Sequence, residues 1–437
     1  MTLKELFTLS CKYLFRYRRR YLFLFSALCF GFAIITMIIS FKAGISENLY
    51  TAAQSHYTGD IIFTGYDSET SVYRRLDAAR QEAIYESVAE SGAGVKSIVK
   101  RTLLNDEGMI FFNGESVTLR YLNGVDWNDE KNYFDKLNYT EHSAGAPDGD
   151  SIIISSQVAA LLGARTGDSI TLELPDRSGQ ANSWVFIVHG IVRDETLFGF
   201  YKAYISRVTM NYLLSYDEGD CSSIGVFLKS RASAGKDLRI MRSELSKKTL
   251  TAPEMTTYKE FKERRREDYH GVKIFVLTLS VYLTDLYQLI DALNLLVVLL
   301  YVIMLLIILS SAGVTYNLIL HERLRELGTM MSIGFYEKDL RRLLGMETAV
   351  LGTIAIGAGC ALSVLLCASL GMLPLGNLPS FEILLSNGRL RAGFDPLAII
   401  LNIMSLYAML FIAVSIPAAR TVRAPLTELL SGGVKGS

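Results

Sequence analysis

Cysteine is scarce, and it is placed badly for disulfide bonding. Of five in 437 residues, Cys11, Cys29, Cys360 and Cys367 lie in or beside apolar runs, and Cys221 stands alone in the polar middle of the chain. A disulfide within residues 44–270 is therefore excluded, and that block must be held by an ordinary apolar core, which a segment of its length can supply. Histidine is also thin: His56, His142, His189, His270 and His321 are scattered, and no His/Cys grouping has metal-ligand spacing. The formal net charge is zero, with no basic face interleaved with aromatics, so nucleic acid is set aside as a partner. No GxxxxGK[ST] phosphate loop occurs, and the tail from Gly433 to Ser437 is merely glycine-rich. Nor does the polar block offer an acid/base pair or a nucleophile constellation; Asp67, Glu69, Asp106 and Glu107 read as turn residues. An enzyme is the least favoured class.

What the chain does have is four apolar segments, each about as long as the ~20 residues that ~30 Å of hydrocarbon requires. A polar block of more than two hundred residues separates the first from the second. The fold class follows as membrane α-helical, with four transmembrane helices and a large extracytoplasmic α+β domain inserted between helices one and two. Lys12, Arg16, Arg18, Arg19 and Arg20 precede the first span, Arg323, Arg325, Lys338, Arg341 and Arg342 lie between the second and third, and Arg420 and Arg423 follow the fourth. By the positive-inside rule these flanks are cytoplasmic. The first span is longer than a signal-peptide core and lacks a small-x-small cleavage site before the domain, so it reads as an uncleaved anchor.

The expected layout is a cytoplasmic segment at 1–20, transmembrane helix one at 21–43, the outer domain at 44–270, a stalk running into helix two at 271–320, a cytoplasmic hairpin at 321–342, helix three at 343–372, a short outer loop at 373–395, helix four at 396–419 and a cytoplasmic tail at 420–437. Within the outer domain, strand-like and helix-like runs alternate between turn signals, which suggests a core unit at 59–125 plus 222–260, split by an inserted unit at 126–221. From Val272 through Phe275, Leu279, Tyr282, Leu286, Leu289 and Leu293 apolar residues recur every three or four positions. No proline or glycine falls between Gly271 and Gly313. This predicts one helix of roughly 70 Å, a stalk continuous with the span, or else two helices with a bend near Asp291.

The stretch from His321 to Phe335 carries charges of both signs on one side, with Leu324, Leu327 and Met331 at helical spacing on the other. Gly328 and Gly334 bracket an expected turn before a helix at Tyr336. Such a hairpin suits a helix-in-groove contact with another protein, or is a solvated connector. Glu347, an ionisable group near a bilayer edge, is expected to form an interfacial salt bridge with Arg341 or Arg342, with a substrate role as the alternative. Gly352, Gly357 and Gly359 permit close helix contact.

Arg325-Glu326-Leu327-Gly328 followed by Ser332-Ile333-Gly334 resembles the RxxEIGxxxAIG-type signature of the FtsX-like permeases of ABC transporters. Pro417-Ala418-Ala419-Arg420 through Pro425-Leu426-Thr427-Glu428-Leu429-Leu430 is similar to that family's closing pattern, although Ala424 and Ser431 depart from it. Ile153-Ile154-Ser155, Leu162-Gly163 and Thr166-Gly167-Asp168 look like its strand, helix and "GDxxxL" turn, and Gly124-Val125-Asp126 like the "GVD" strand of its lipoprotein-releasing branch. The resemblance implies a permease without an ATPase site or cofactor of its own, in a bacterial inner membrane. A separate ABC ATPase dimer, binding ATP and Mg, would dock on Glu322, Arg325, Glu326, Leu327, Gly328, Ile333, Gly334 and Phe335, with Leu327 and Ile333 filling its groove. It further implies a second permease, identical or paralogous, and lipoprotein cargo, with a possible periplasmic acceptor. A lipid anchor would lie against Leu24, Leu28, Ile35, Leu296, Leu300 and Met304. Efflux of a macrolide, peptide or other amphiphile, and signalling to a cell-wall hydrolase, are the alternatives.

Overall fold

The structure, a computed structural model, describes residues 3–16, 18–67, 75–105, 108–176, 178–194, 196, 198–267, 269–373, 375, 385 and 388–422. Glu69, Asp106, Glu107, most of the short outer loop and the closing pattern beyond Val422 lie outside the described residues. The chain divides into a helical unit (1–46, 291–373 and 390–437) and a sheet unit (47–290 and 374–389).

In chain order, α1 (Leu3–Arg16) and α2 (Arg18–His56) come first. The sheet unit continues with β1 (Ile61–Asp67), α3 (Ala78–Glu90), β2 (Val95–Asn105), β3 (Met109–Phe112), β4 (Glu115–Thr118), β5 (Tyr121–Val125), α4 (Lys131–Phe134) and β6 (Tyr139–His142). Then follow β7 (Ser151–Ser155), α5 (Ser156–Leu162), β8 (Ser169–Pro175), β9 (Ala181–Val192), β10 (Lys202–Ser206), α6 (Arg207–Leu213), β11 (Ser223–Leu228), α7 (Ala234–Ser246), α8 (Tyr258–Arg265), β12 (Val272–Thr278) and α9 (Leu279–Tyr282). The chain closes on α10 (Thr284–Glu322), α11 (Leu324–Ser332), α12 (Glu337–Gly371) and α13 (Pro396–Val422). Four of these helices are long and apolar enough to cross a membrane, over Tyr21–His56, Asn294–Glu322, Glu337–Gly371 and Pro396–Ala418. The sheet domain lies between the first and the second.

The strands form one sheet in the order β12-β1-β11-β2-β5-β10-β7-β9-β8-β3-β4, with β6 beside β9. β2 is the hinge of this order, because Val95–Arg101 pairs with β11 and Thr102–Asn105 with β5. On one side of it, β1, β11 and β12 pack against α3 and α7 through Ile61, Phe63, Ile84, Met241 and Ile274. On the other, β5, β7, β8, β9 and β10 enclose Leu122, Ile152, Ile154, Phe186 and Ile205 beneath α5 and α6.

Two expectations are corrected here. The stalk helix does not begin at Val272: residues 272–278 are β12, antiparallel to β1 from Ile61↔Thr278 to Asp67↔Val272. Ile274 to Leu277 are all buried. A strand buried on both faces reads as a continuous apolar run, which periodicity alone does not separate from a helix. From Thr284 to Glu322 the chain forms one helix, α10, so the alternative of two separate helices meeting near Asp291 does not hold. The second correction concerns the split of the outer domain. β3 pairs with β8 and β5 runs parallel to β10, so residues 109–125 belong with the segment that interrupts the core unit, while β12, outside 222–260, completes that unit. Local turn signals mark where strands end but carry no information about which distant strand accepts their hydrogen bonds.

Candidate functional site

In the helical unit, α11 is a nine-residue helix set between two spanning helices. Its inner face consists of Leu324 and Leu327, 4% and 1% exposed, with Gly328 also buried. Leu327 packs in the same cluster as Leu14, Leu320, Leu340 and Leu344. Its outer face carries Arg325, Thr329 and Ser332. The helix ends in a Schellman turn: Phe335 N–H donates to Met330 O (3.1 Å) and Gly334 N–H to Met331 O (3.1 Å). Gly334 has φ +105°, a conformation that a side chain would resist. The turn projects Ile333 and Tyr336, 76% and 77% exposed, as an apolar tip. Gly328 does not bracket that turn, as its sequence position suggested, because it lies inside the helix.

A buried ion pair anchors the base of α11. Arg323, the residue before its first turn, is 1% exposed, and Glu347 of α12 is 0% exposed. Arg323 donates from Nη1 to Glu347 Oε2 (2.8 Å) and from Nη2 to Oε1 (3.3 Å). Tyr21 of α2 donates its hydroxyl to the same Oε2 at 3.0 Å. The guanidinium also lies over the Tyr13 ring of α1, 4.5 Å from its centroid, and its Nε is 3.7 Å from Glu326. Four helices are thus tied to the residue from which α11 departs. The bidentate fork fixes orientation as well as charge, which a lysine would not do.

Glu347 pairs neither with Arg341 nor with Arg342, as its position in the chain suggested. Arg341 instead approaches Glu337 (3.7 Å) and Arg342 approaches Asp339 (3.8 Å). Sequence reasoning missed Arg323, Tyr21 and Tyr13, and Tyr336 at the tip. An arginine in a basic flank looks like any other until the helices are packed. The expected docking set is also divided by the fold. Arg325, Ile333 and Gly334 are exposed and Glu326 half-buried, but Leu327 faces the chain's own core and is unavailable to a partner. Of the residues expected against a lipid anchor, Leu24, Leu28 and Ile35 are 1%, 0% and 2% exposed inside the helical core. Leu296 and Leu300 are exposed and Met304 is half-buried.

Residues 298–426 match the family model for the FtsX-like permease C-terminal domain. No curated protein matches the chain. Among solved structures, the periplasmic region of MacB from Actinobacillus actinomycetemcomitans aligns at 11% identity and a TM-score of 0.30, over 55% of this chain and 95% of that one. A domain of a putative permease protein from Porphyromonas gingivalis aligns at 12% identity and a TM-score of 0.26, over 51% and 89%. Over the matched residues, which hold α11 and the spanning helices on either side of it, the chain is similar to the C-terminal domain of FtsX-like permeases.

Proposed function

We propose that this permease is the membrane subunit of an ABC transporter in a bacterial inner membrane, moved by an ATPase that is a separate polypeptide and that binds ATP and Mg. The observation that carries this reading is the construction of α11. Its inner face and base are locked to the bundle by Leu327 and the Arg323–Glu347 pair, while its tip offers Ile333 and Tyr336 to a groove. A joint built this way transmits force, because a push on the tip cannot be absorbed by rotation of the helix. The positive-inside rule supports a cytoplasmic position for α11 and for both termini, and an outer position for the sheet domain.

Lipoprotein extraction from the membrane for delivery outward is the leading activity, and the Gly124-Val125-Asp126 sequence at the end of β5 supports it. With Leu24, Leu28 and Ile35 enclosed, the residues of the expected lining that stay open to an acyl anchor or a second permease are those of α10, around Leu296 and Leu300. Efflux of an amphiphile is the second reading, favoured by the same open apolar face.

The docking test is Ile333→Asp in the complex purified with its ATPase. It should abolish co-purification while the chain's own thermal stability stays within about 0.5 kcal/mol of the parent, as an exposed site predicts. Retained association would remove α11 as the dock. Cargo is tested in proteoliposomes containing both subunits and a labelled lipoprotein. ATP-dependent release to a soluble acceptor supports lipoprotein transfer, and transport of a small amphiphile in its absence would replace that activity with efflux.

A further inference from the structure

α12 and α13 pack against each other, but between their ends nearest α11 they part around a cavity of about 610 Å³. Along α12 the walls run from Arg341 to Ala349, and along α13 from Tyr407 to Ala418. At 1.5 Å per residue these stretches measure roughly 12 and 16 Å, close to half of the ~30 Å hydrocarbon thickness and so to the depth of one leaflet. The deep end is closed. Tyr407 shares a hydrogen bond with Thr353 at 2.8 Å, and a Cβ on Gly352 would sit 3.0 Å from Leu410 and 3.3 Å from Tyr407. The middle is open, since a Cβ on Gly345 would meet nothing within 4 Å. Among the described residues, the one cation at the shallow end is Arg341. Its Nε is a buried donor with no hydrogen-bond partner among the described residues, and its one ion pair among them is the 3.7 Å contact to Glu337, itself more than half exposed.

We propose that this crevice is a binding site for one anionic phospholipid of the surrounding leaflet, its phosphate on Arg341 and an acyl chain along Gly345 toward Tyr407. Two features favour this occupant: apolar walls of one-leaflet depth, and an incompletely satisfied guanidinium at the end of the crevice nearest α11. Basic pockets between spanning helices hold anionic headgroups for the same reason. A zwitterionic lipid would fill the walls equally well but would gain less at Arg341. The proposal needs only the spanning assignment of α12 and α13, so it stands or falls independently of the cargo and of the ATPase.

Both native tryptophans, Trp127 and Trp184, lie in the sheet domain, so Phe411→Trp places a reporter at the crevice whose signal is read as the difference from the parent. The full chain carrying it is reconstituted in nanodiscs containing acyl-brominated phosphatidylglycerol or acyl-brominated phosphatidylcholine. Half-maximal quenching should need about five-fold less of the anionic lipid, the effect of one cation near a phosphate. Arg341→Gln should erase that preference, Gly345→Leu should erase it by filling the crevice, and Arg342→Gln should preserve it. Equal quenching by the two lipids in the reporter protein would overturn the proposal, as would loss of preference in Arg342→Gln. Absence of quenching by either lipid would overturn it too, since the crevice would then be covered by protein.

Discussion

Arg323 and Glu347 hold each other in a place where neither could remain alone. Desolvating two charges costs about as much as their attraction returns, so the pair contributes more to orientation than to net stability. Glu347→Ala would leave the guanidinium buried and uncompensated, and the loss should be about 3–5 kcal/mol, read as an early thermal transition. Arg323→Met with Glu347→Leu should recover more than half of that loss, whereas an equal loss in the double variant would mean that the ion pair itself supplies the stability. The sheet domain has its own buried cation. Lys202, 3% exposed, lies over the Tyr204 ring at 4.8 Å, near Arg101, whose guanidinium is forked onto Glu130 and donates to Ser55 O at 2.7 Å. Burial pushes its amine from the ordinary 10.5 down to about 7, with Asp194 and Glu130 opposing and Arg101 adding to the shift. Between those values the unfolded chain binds a proton that the folded chain does not, so stability rises with pH. The slope from pH 7 to 10.5 should approach about 1.4 kcal/mol per unit in urea unfolding followed by Trp127 and Trp184 fluorescence. Lys202→Met should flatten it; a slope unchanged in that variant would assign the effect to another group.

At the scale of elements, three glycines of α12 that look alike in the sequence do different things. Gly359 lets α2 approach so closely that a Cβ would stand 2.9 Å from Cys29 O and from Phe32 Cδ1. Gly352 faces α13, and Gly357 faces nothing within 4 Å. Gly359→Val should therefore cost about 1–3 kcal/mol through overpacking, while Gly357→Val should be near neutral, both measured as shifts in thermal stability. Equal effects would mean that the α2–α12 contact is not the one described. The spacing of glycines signals that some helix comes near; only packing says which one. β12 teaches the same lesson in another form. Its apolar residues were evident, but a seven-residue run flanked by more apolar sequence fits either period, and the hydrogen bonds of β1, some two hundred residues earlier in the chain, decided for a strand.

For the molecule as a whole, the proposed transport role requires α11 and the sheet domain to face opposite solvent compartments. Ser332→Cys on α11 and Ser178→Cys in the sheet domain place thiols on exposed positions of each. In intact spheroplasts a membrane-impermeant maleimide should label the second and spare the first, and permeabilisation should expose both. The reverse pattern would invert the topology and remove α11 from the ATPase's side. The spans, their order, the size of the inserted domain and the amphipathic stretch before Phe335 were all legible in the sequence, because each depends on composition along a short window: the length of an apolar run, the sign of its flanks, the spacing of leucines on one face. The strand order of the sheet, the choice of Arg323 as the partner of Glu347, the inward turn of Leu327 and the crevice beside Arg341 were settled only in three dimensions. Each depends on which distant segment comes to lie alongside, and that is fixed by the joint packing of many side chains, so no local window contains it.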